Sequence, residues 1–283
     1  MMIIDFRNRP PYASIAQSIL YDRSRREKMA PRFGMHLAPS VLDKSMMLWE
    51  QELAEAGIDR AVALIRRATG MRNDDLNDLI AAYPEKVIGL VGIDPEEGEE
   101  ALEDIDRYVL GGLAAGIVME LGKCRTPLMA DDERLYPLYE KCQAAHISVT
   151  LGFGGFVAPN YPYFDPMSIW RLTRDFPDLS VILAHGGWPY VNEICHVAYQ
   201  RPKLYLSPDI YAMNIPGADG YIAAANYLLP DQIIFGSAYP IVSMQEAVAY
   251  YRDRLSAEAF PKVMGLNALR ALGLPAVDSG VKA

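Results

Sequence analysis

A chain of 283 residues with 51% hydrophobic and 22% charged residues carries enough apolar material for a large core, which excludes an intrinsically disordered protein. The formal net charge of -9 argues against a nucleic-acid surface, because phosphate recognition needs a concentrated basic stripe. The start, Met1-Met2-Ile3-Ile4-Asp5, shows neither a signal-peptide pattern nor a membrane span, so a cytoplasmic location is the expectation; Cys124, Cys142 and Cys195 lack CxxC spacing and read as isolated thiols.

Short apolar runs recur along the chain at Met2 to Phe6, Ala61 to Ile65, Val87 to Ile93, Gly116 to Leu121, Ile147 to Leu151, Val181 to Ala184, Leu204 to Leu206 and Ile233 to Phe235. Segments with helical periodicity separate them: Ser45 to Ala56, Asp74 to Ala82, Glu97 to Val109 and Glu133 to Ala145. In the first of these, Met46, Trp49, Leu53 and Ala56 form an apolar stripe, and Gly57 is placed to stop the helix. Strands alternating with helices, without a sharp break in composition, predict one parallel (β/α)8 TIM barrel over residues 1 to 283.

Longer segments follow the carboxyl ends of the strands, where barrels of this kind build substrate pockets. Residues 10 to 44 form an insertion with a basic cluster at Arg23, Arg25, Arg26, Lys28 and Arg32, read either as part of a pocket or as an oligomer contact. Apolar Phe33, Met35 and Leu37 beside it make a homo-oligomer an expected partner state. The stretches after the fifth, sixth and seventh strands contribute Phe153, Phe156, Tyr161, Tyr163, Phe164, Trp188, Tyr190 and Tyr211, candidates for the wall of an apolar or ring-bearing substrate.

The ends of the first, fifth, sixth and last strands read Ile4-Asp5-Phe6-Arg7-Asn8-Arg9, Leu151-Gly152-Phe153-Gly154, Leu183-Ala184-His185-Gly186-Gly187 and Phe235-Gly236-Ser237-Ala238-Tyr239-Pro240. In this order and spacing they resemble the metal-binding segments of the amidohydrolase-related family, whose first segment reads Ile-Asp-x-His-x-His and whose last reads Gly-Ser-Asp-x-Pro. Supporting likenesses are Leu135-Tyr136-Pro137-Leu138-Tyr139-Glu140, Phe176-Pro177-Asp178-Leu179 and Met264-Gly265-Leu266-Asn267-Ala268. The resemblance implies a barrel of the metal-dependent hydrolase type whose relatives hydrolyse, decarboxylate or hydrate small carboxylated molecules, commonly with one divalent metal. Here the two family histidines fall on Arg7 and Arg9, the strand-5 histidine on Gly152 and the aspartate on Ala238, so only His185 keeps a ligand type.

A catalytic zinc needs about three protein ligands, and a divalent ion about 5 Å from a guanidinium is repelled by roughly 6 to 7 kcal/mol at an effective dielectric of about 20. No cofactor is therefore expected. Arg7 and Arg9, two apart on a strand, should share a face and grip a substrate carboxylate, or else pair with Asp5, Asp94 or Glu120 in place of the metal. His185 is the candidate proton-transfer group, assisted by Asp209 or Glu120, with Lys123, Ser237 and Tyr239 as candidate substrate contacts.

The leading expectation is a hydrolase of a carboxylate-bearing lactone or ester working without a metal; a hydratase or decarboxylase using the same arginines is a variant. One alternative is a zinc hydrolase with a displaced site of His185, Asp209, Glu120 and His36 or Cys124. Another is a silent barrel that binds a small anion or a partner protein.

Overall fold

The computed structural model describes residues 1–155 and 161–275. Seven parallel strands follow one another in sequence order: β1 (Ile4–Asn8), β2 (Arg60–Leu64), β3 (Val87–Gly92), β4 (Gly116–Met119), β5 (Ser148–Gly152), β6 (Val181–Ala184) and β7 (Leu204–Ser207). The expected eighth strand is reduced to a single parallel bridge, Leu206 to Ile233. It still closes the ring: Ile234 N donates to Leu206 O at 2.8 Å, and Phe6 N donates to Phe235 O at 3.0 Å. Its shortness has a local cause, since Phe235 N turns away to Val263 O at 3.0 Å. The architecture is a (β/α)8 barrel of the amidohydrolase type.

The barrel interior is filled by Ile4, Phe6, Val62, Leu64, Ile88, Leu90, Val118, Ile182, Tyr205 and Ile234, with Ala268, Leu269 and Leu272 plugging one end. A second, larger cluster joins the outward faces of the strands to the helices. Helix α4 (Met46–Glu55) forms as its stripe predicts. Ser45 caps it by accepting from Leu48 N, Trp49 and Leu53 are buried, and Gly57 takes a φ of +70° at the stop.

The insertion between β1 and β2 is not an irregular loop. It contains α1 (Ala13–Gln17), α2 (Arg23–Met29) and α3 (Pro39–Asp43) ahead of α4, and it is stitched to the barrel by Tyr21 Oη donating to Arg9 O at 2.6 Å and Asn214 Nδ2 donating to Phe33 O at 2.7 Å. Six positions of α2 are charged or polar, yet of these only Arg26 turns inward and is buried. Phe156 lies outside the described residues. No helix among the described residues is long and apolar enough to cross a membrane.

Candidate active site

Along β1 the register slips. Asp5 faces Ala61 while Asn8 faces Ala63, so three steps of β1 match two of β2. The slip breaks strict alternation, and it is through this bulge that Arg7 turns into the mouth of the barrel. The stem of Arg7 lies on Gly236, where an added Cβ would come 2.7 Å from Arg7 Cγ, so only glycine admits it.

Asp5 is buried beneath and does not pair with the Arg7 guanidinium. Its carboxylate accepts from Arg7 N (3.1 Å), Asn8 Nδ2 (2.7 Å), Ser237 N (2.7 Å) and Ser237 Oγ (2.6 Å). Burial pushes this carboxyl above the usual range, opposed by those four hydrogen bonds.

The Arg7 guanidinium joins two strand ends. Its Nε donates to Asp209 Oδ2 at 2.9 Å and its Nη2 lies 3.2 Å from His185 Nε2, while His185 Nδ1 lies 2.9 Å from the same Asp209 oxygen. Because an arginine only donates, His185 Nε2 must accept, which places the imidazole proton on Nδ1 facing Asp209. Burial lowers the His185 pKa below its usual value, an effect that Asp209 opposes and Arg7 reinforces. Burial works against ionised Asp209 too, but His185, Arg7 and the Ile210 N–H outweigh it and hold the carboxyl below the usual range. The pair is thus a neutral imidazole beside a carboxylate.

Both residues sit in left-handed backbone, with φ of +72° at His185 and +47° at Asp209, and Ala238 at the last strand end shares the conformation at +63°. Non-glycine residues in this region cost of order 1 to 3 kcal/mol each and persist where the surroundings over-determine them. The His185 ring meets Tyr211 edge-on at 5.2 Å, and Tyr211 stacks on Trp188 at 5.5 Å, forming an aromatic wall.

On the other side stands a second ion pair, Arg66 Nε to Glu120 Oε1 at 2.6 Å. Glu120 runs past Gly152, where a Cβ would approach Glu120 Cγ to 3.3 Å, so the loss of a side chain at the family's strand-5 position makes room for the carboxylate. Burial pushes Glu120 up, but Arg66, Arg9 and Arg7 together hold it below the usual range.

Arg9, just past β1, is only 3% exposed, and its Nε and Nη2 have no hydrogen-bond partner among the described residues. Burial, then repulsion by Arg7 and Arg66, pushes its pKa well down.

The structure therefore brings together Arg7, Arg9, His185, Asp209 and Glu120. It shows other partners for two of the expected substrate contacts, Ser237 and Tyr239. Ser237 Oγ is committed to Asp5 and also accepts from Tyr239 N at 3.0 Å, so it is no oxyanion donor. Tyr239 is fully buried, its Oη 2.8 Å from Ser40 Oγ. Lys123 is exposed and lines a cavity with Glu120, Arg67, Asp94 and Cys124.

Two residues are additions. Arg66, directly after β2, was legible only as a cation at a strand's carboxyl end, and Arg26 only as one of a basic cluster.

A parallel barrel with a charged, buried site at the carboxyl ends of its strands defines the class: a barrel of enzyme type with its pocket among the βα loops. The amidohydrolase family model matches residues 28–274, and the chain belongs to that family. A TIM-barrel protein of uncharacterized function from Bordetella bronchiseptica is 37% identical over 96% of this chain and 99% of its own, with a TM-score of 0.90. At lower identity, the chain is similar in fold to 5-carboxyvanillate decarboxylase from Sphingomonas paucimobilis (15%, 97% of this chain and 99% of that one, TM-score 0.68). It is likewise similar to 4-oxalomesaconate hydratase from Rhodopseudomonas palustris (18%, 96% of each chain, TM-score 0.63). A comparison with curated proteins finds no match.

The residues present do not fit the divalent ion common in the family. His185 and Asp209, the two ligand types that meet at the mouth of the barrel, both already hold the Arg7 guanidinium, which supplies a positive charge beside them. His36, a candidate for a displaced zinc site, is 86% exposed and bound to Glu246 at 2.6 Å. Cys124 belongs to a group with Asp94 and Glu96 that, among the described residues, is the sole set of three such side chains close enough to share an ion, and it includes neither His185 nor Asp209.

Proposed function

We propose that this protein is a metal-independent hydrolase of a small carboxylate-bearing lactone or ester. The observation that carries the reading is buried Arg9, whose Nε and Nη2 have no hydrogen-bond partner among the described residues, beside the His185–Asp209 pair. Arg9 takes the substrate carboxylate in a two-point ion pair, and the Trp188–Tyr211 wall covers an apolar or ring-bearing body.

Arg7 gives an Nη2 hydrogen bond to the acyl oxygen, and in doing so releases the His185 Nε2 lone pair. Nε2 then removes a proton from a water molecule, which attacks the acyl carbon. The acyl–oxygen bond breaks, and the imidazolium returns the proton to the leaving alkoxide. Asp209 fixes the tautomer and stabilises the transient imidazolium. An activated acyl group needs less electrophilic help than an amide, which is why lactones and esters are favoured over amides. The fold neighbours named as decarboxylases and a hydratase act on carboxylated molecules by name, and a proton-handling histidine beside an arginine suits those reactions too.

The test is turnover of carboxylate-bearing lactones and esters by chelator-treated protein, with metal content measured on the same sample. Hydrolysis by metal-free protein that is lost in Arg9→Met and His185→Gln supports the proposal. Activity that disappears with chelator and returns with zinc sinks it. Binding of the carboxylates without turnover of any of them makes this a binding barrel.

A further inference from the structure

We propose that the cleft between the insertion and the segment after β7 is a binding site, separate from the barrel mouth, for a phosphate monoester attached to an apolar body. It stands independently of the reaction assigned to the mouth.

The cleft is lined by Arg25, Arg26, Lys28, Met29, Arg32 and Phe33 of the insertion and by Ile215, and Arg7, Arg9, His185 and Asp209 are not part of its lining. Its volume of about 530 Å3 is that of a small-molecule pocket. Arg26 is 5% exposed, and its Nε and Nη1 have no hydrogen-bond partner among the described residues. The acids beside it in sequence are engaged elsewhere. Asp22 caps α2, accepting from Arg25 N and Ser24 Oγ at 2.9 Å each, and Glu27 pairs with Arg23 at 2.7 Å.

Four cations therefore line one cleft with no carboxylate among them, in a chain whose net charge is -9. A phosphate monoester carries a charge of about -1.5 to -2 at neutral pH and three acceptor oxygens, which guanidinium forks match in pairs. A carboxylate, with one charge and two oxygens, answers less of this array. Met29, buried Phe33 and Ile215 supply the apolar part of the lining, against which the body of the ligand loses its water. The two sides of the cleft already touch, since Asn214 Nδ2 donates to Phe33 O at 2.7 Å. An occupant adds a second tie across the same seam and so raises the melting temperature.

The experiment is calorimetric titration of the intact protein with phenyl phosphate, inorganic phosphate and benzoate at neutral pH, repeated on Arg9→Met to silence the barrel mouth. In Arg9→Met, phenyl phosphate should bind one to one, about tenfold more tightly than inorganic phosphate and more tightly than benzoate. Arg26→Met should weaken phenyl phosphate about tenfold or more. The exposed double variant Lys28→Gln, Arg32→Gln should weaken it too with the unliganded melting temperature unchanged. Arg23→Met, at a guanidinium paired with Glu27, serves as a control for bulk charge and should change nothing. Sedimentation with vesicles containing phosphatidic acid separates the sources: co-sedimentation lost in Arg26→Met assigns a lipid headgroup, and its absence beside phenyl phosphate binding assigns a soluble phosphate ester.

Phenyl phosphate binding that Arg9→Met abolishes, or that Arg26→Met leaves intact, overturns the cleft site. Benzoate bound as tightly as phenyl phosphate in Arg9→Met overturns the phosphate assignment, and inorganic phosphate bound equally well overturns the apolar part of the site.

Discussion

Arg7 and Asp209, 202 positions apart in the chain, meet at 2.9 Å in the mouth of the barrel with the arginine 3% and the aspartate 0% exposed. Each is the condition for burying the other, and the pair sets His185 between them.

Removal of one partner from a buried pair strands the other. Asp209→Asn is expected to cost about 3 to 5 kcal/mol in urea denaturation, and the Arg7→Met, Asp209→Asn double variant to be more stable than the sum of the single losses implies. Strict additivity would show that the two side chains do not depend on one another.

Arg9 should behave in the opposite sense. Its Nε and Nη2 are buried with no acceptor among the described residues, so Arg9→Met should leave the melting temperature unchanged or raise it while raising KM for a carboxylate substrate at least tenfold. A lowered melting temperature with KM unchanged would mark Arg9 as a structural residue.

The pH dependence follows from the lowered His185 pKa. A reaction needing the neutral imidazole keeps its plateau above the reference value of about 6.5 and loses rate only further into acid. Stability follows the same sign: the unfolded chain takes up the proton first, so the contribution of neutral His185 is whole above that value and falls away as pH drops through the folded-state pKa. Since Asp209 props the imidazole up, Asp209→Asn should move the acid limb of the rate profile to lower pH. A limb above pH 7 would contradict this assignment.

Two small substitutions separate scaffold from site. Ser237→Ala removes the Ser237 Oγ hydrogen bond to buried Asp5 and should cost about 1 to 3 kcal/mol in stability with KM unchanged. Gly236→Ala drives a methyl into the Arg7 stem and should reduce kcat at a stability cost of about 1 to 3 kcal/mol. Each comparison needs only a thermal melt and steady-state rates.

The barrel was legible because its strands are continuous apolar runs: β6 spans Val181–Ala184 as the sequence predicts, and α4 differs from its stripe by a residue at each end. The positions of Arg7, Arg9, His185, Asp209 and Glu120 were legible because strand ends converge in this fold. Their partners were not. Nothing local in the sequence reveals the slip at Asp5 to Asn8 that aims Arg7, or that Ser237 is captured by a carboxylate 232 positions away. Arg26 stayed hidden for a related reason: five of its neighbours carry charge or polarity, and only tertiary packing selects which one faces inward.

Ala238 adds a last consequence. Its φ of +63° is one that aspartate tolerates better than alanine does, so an aspartate placed at this position would meet a backbone already shaped to present it. Two guanidinium groups at the end of the first strand, and not the main chain, therefore stand against a cation at this end of the barrel, which makes the charge preference of the pocket a matter of side chains on an unchanged frame.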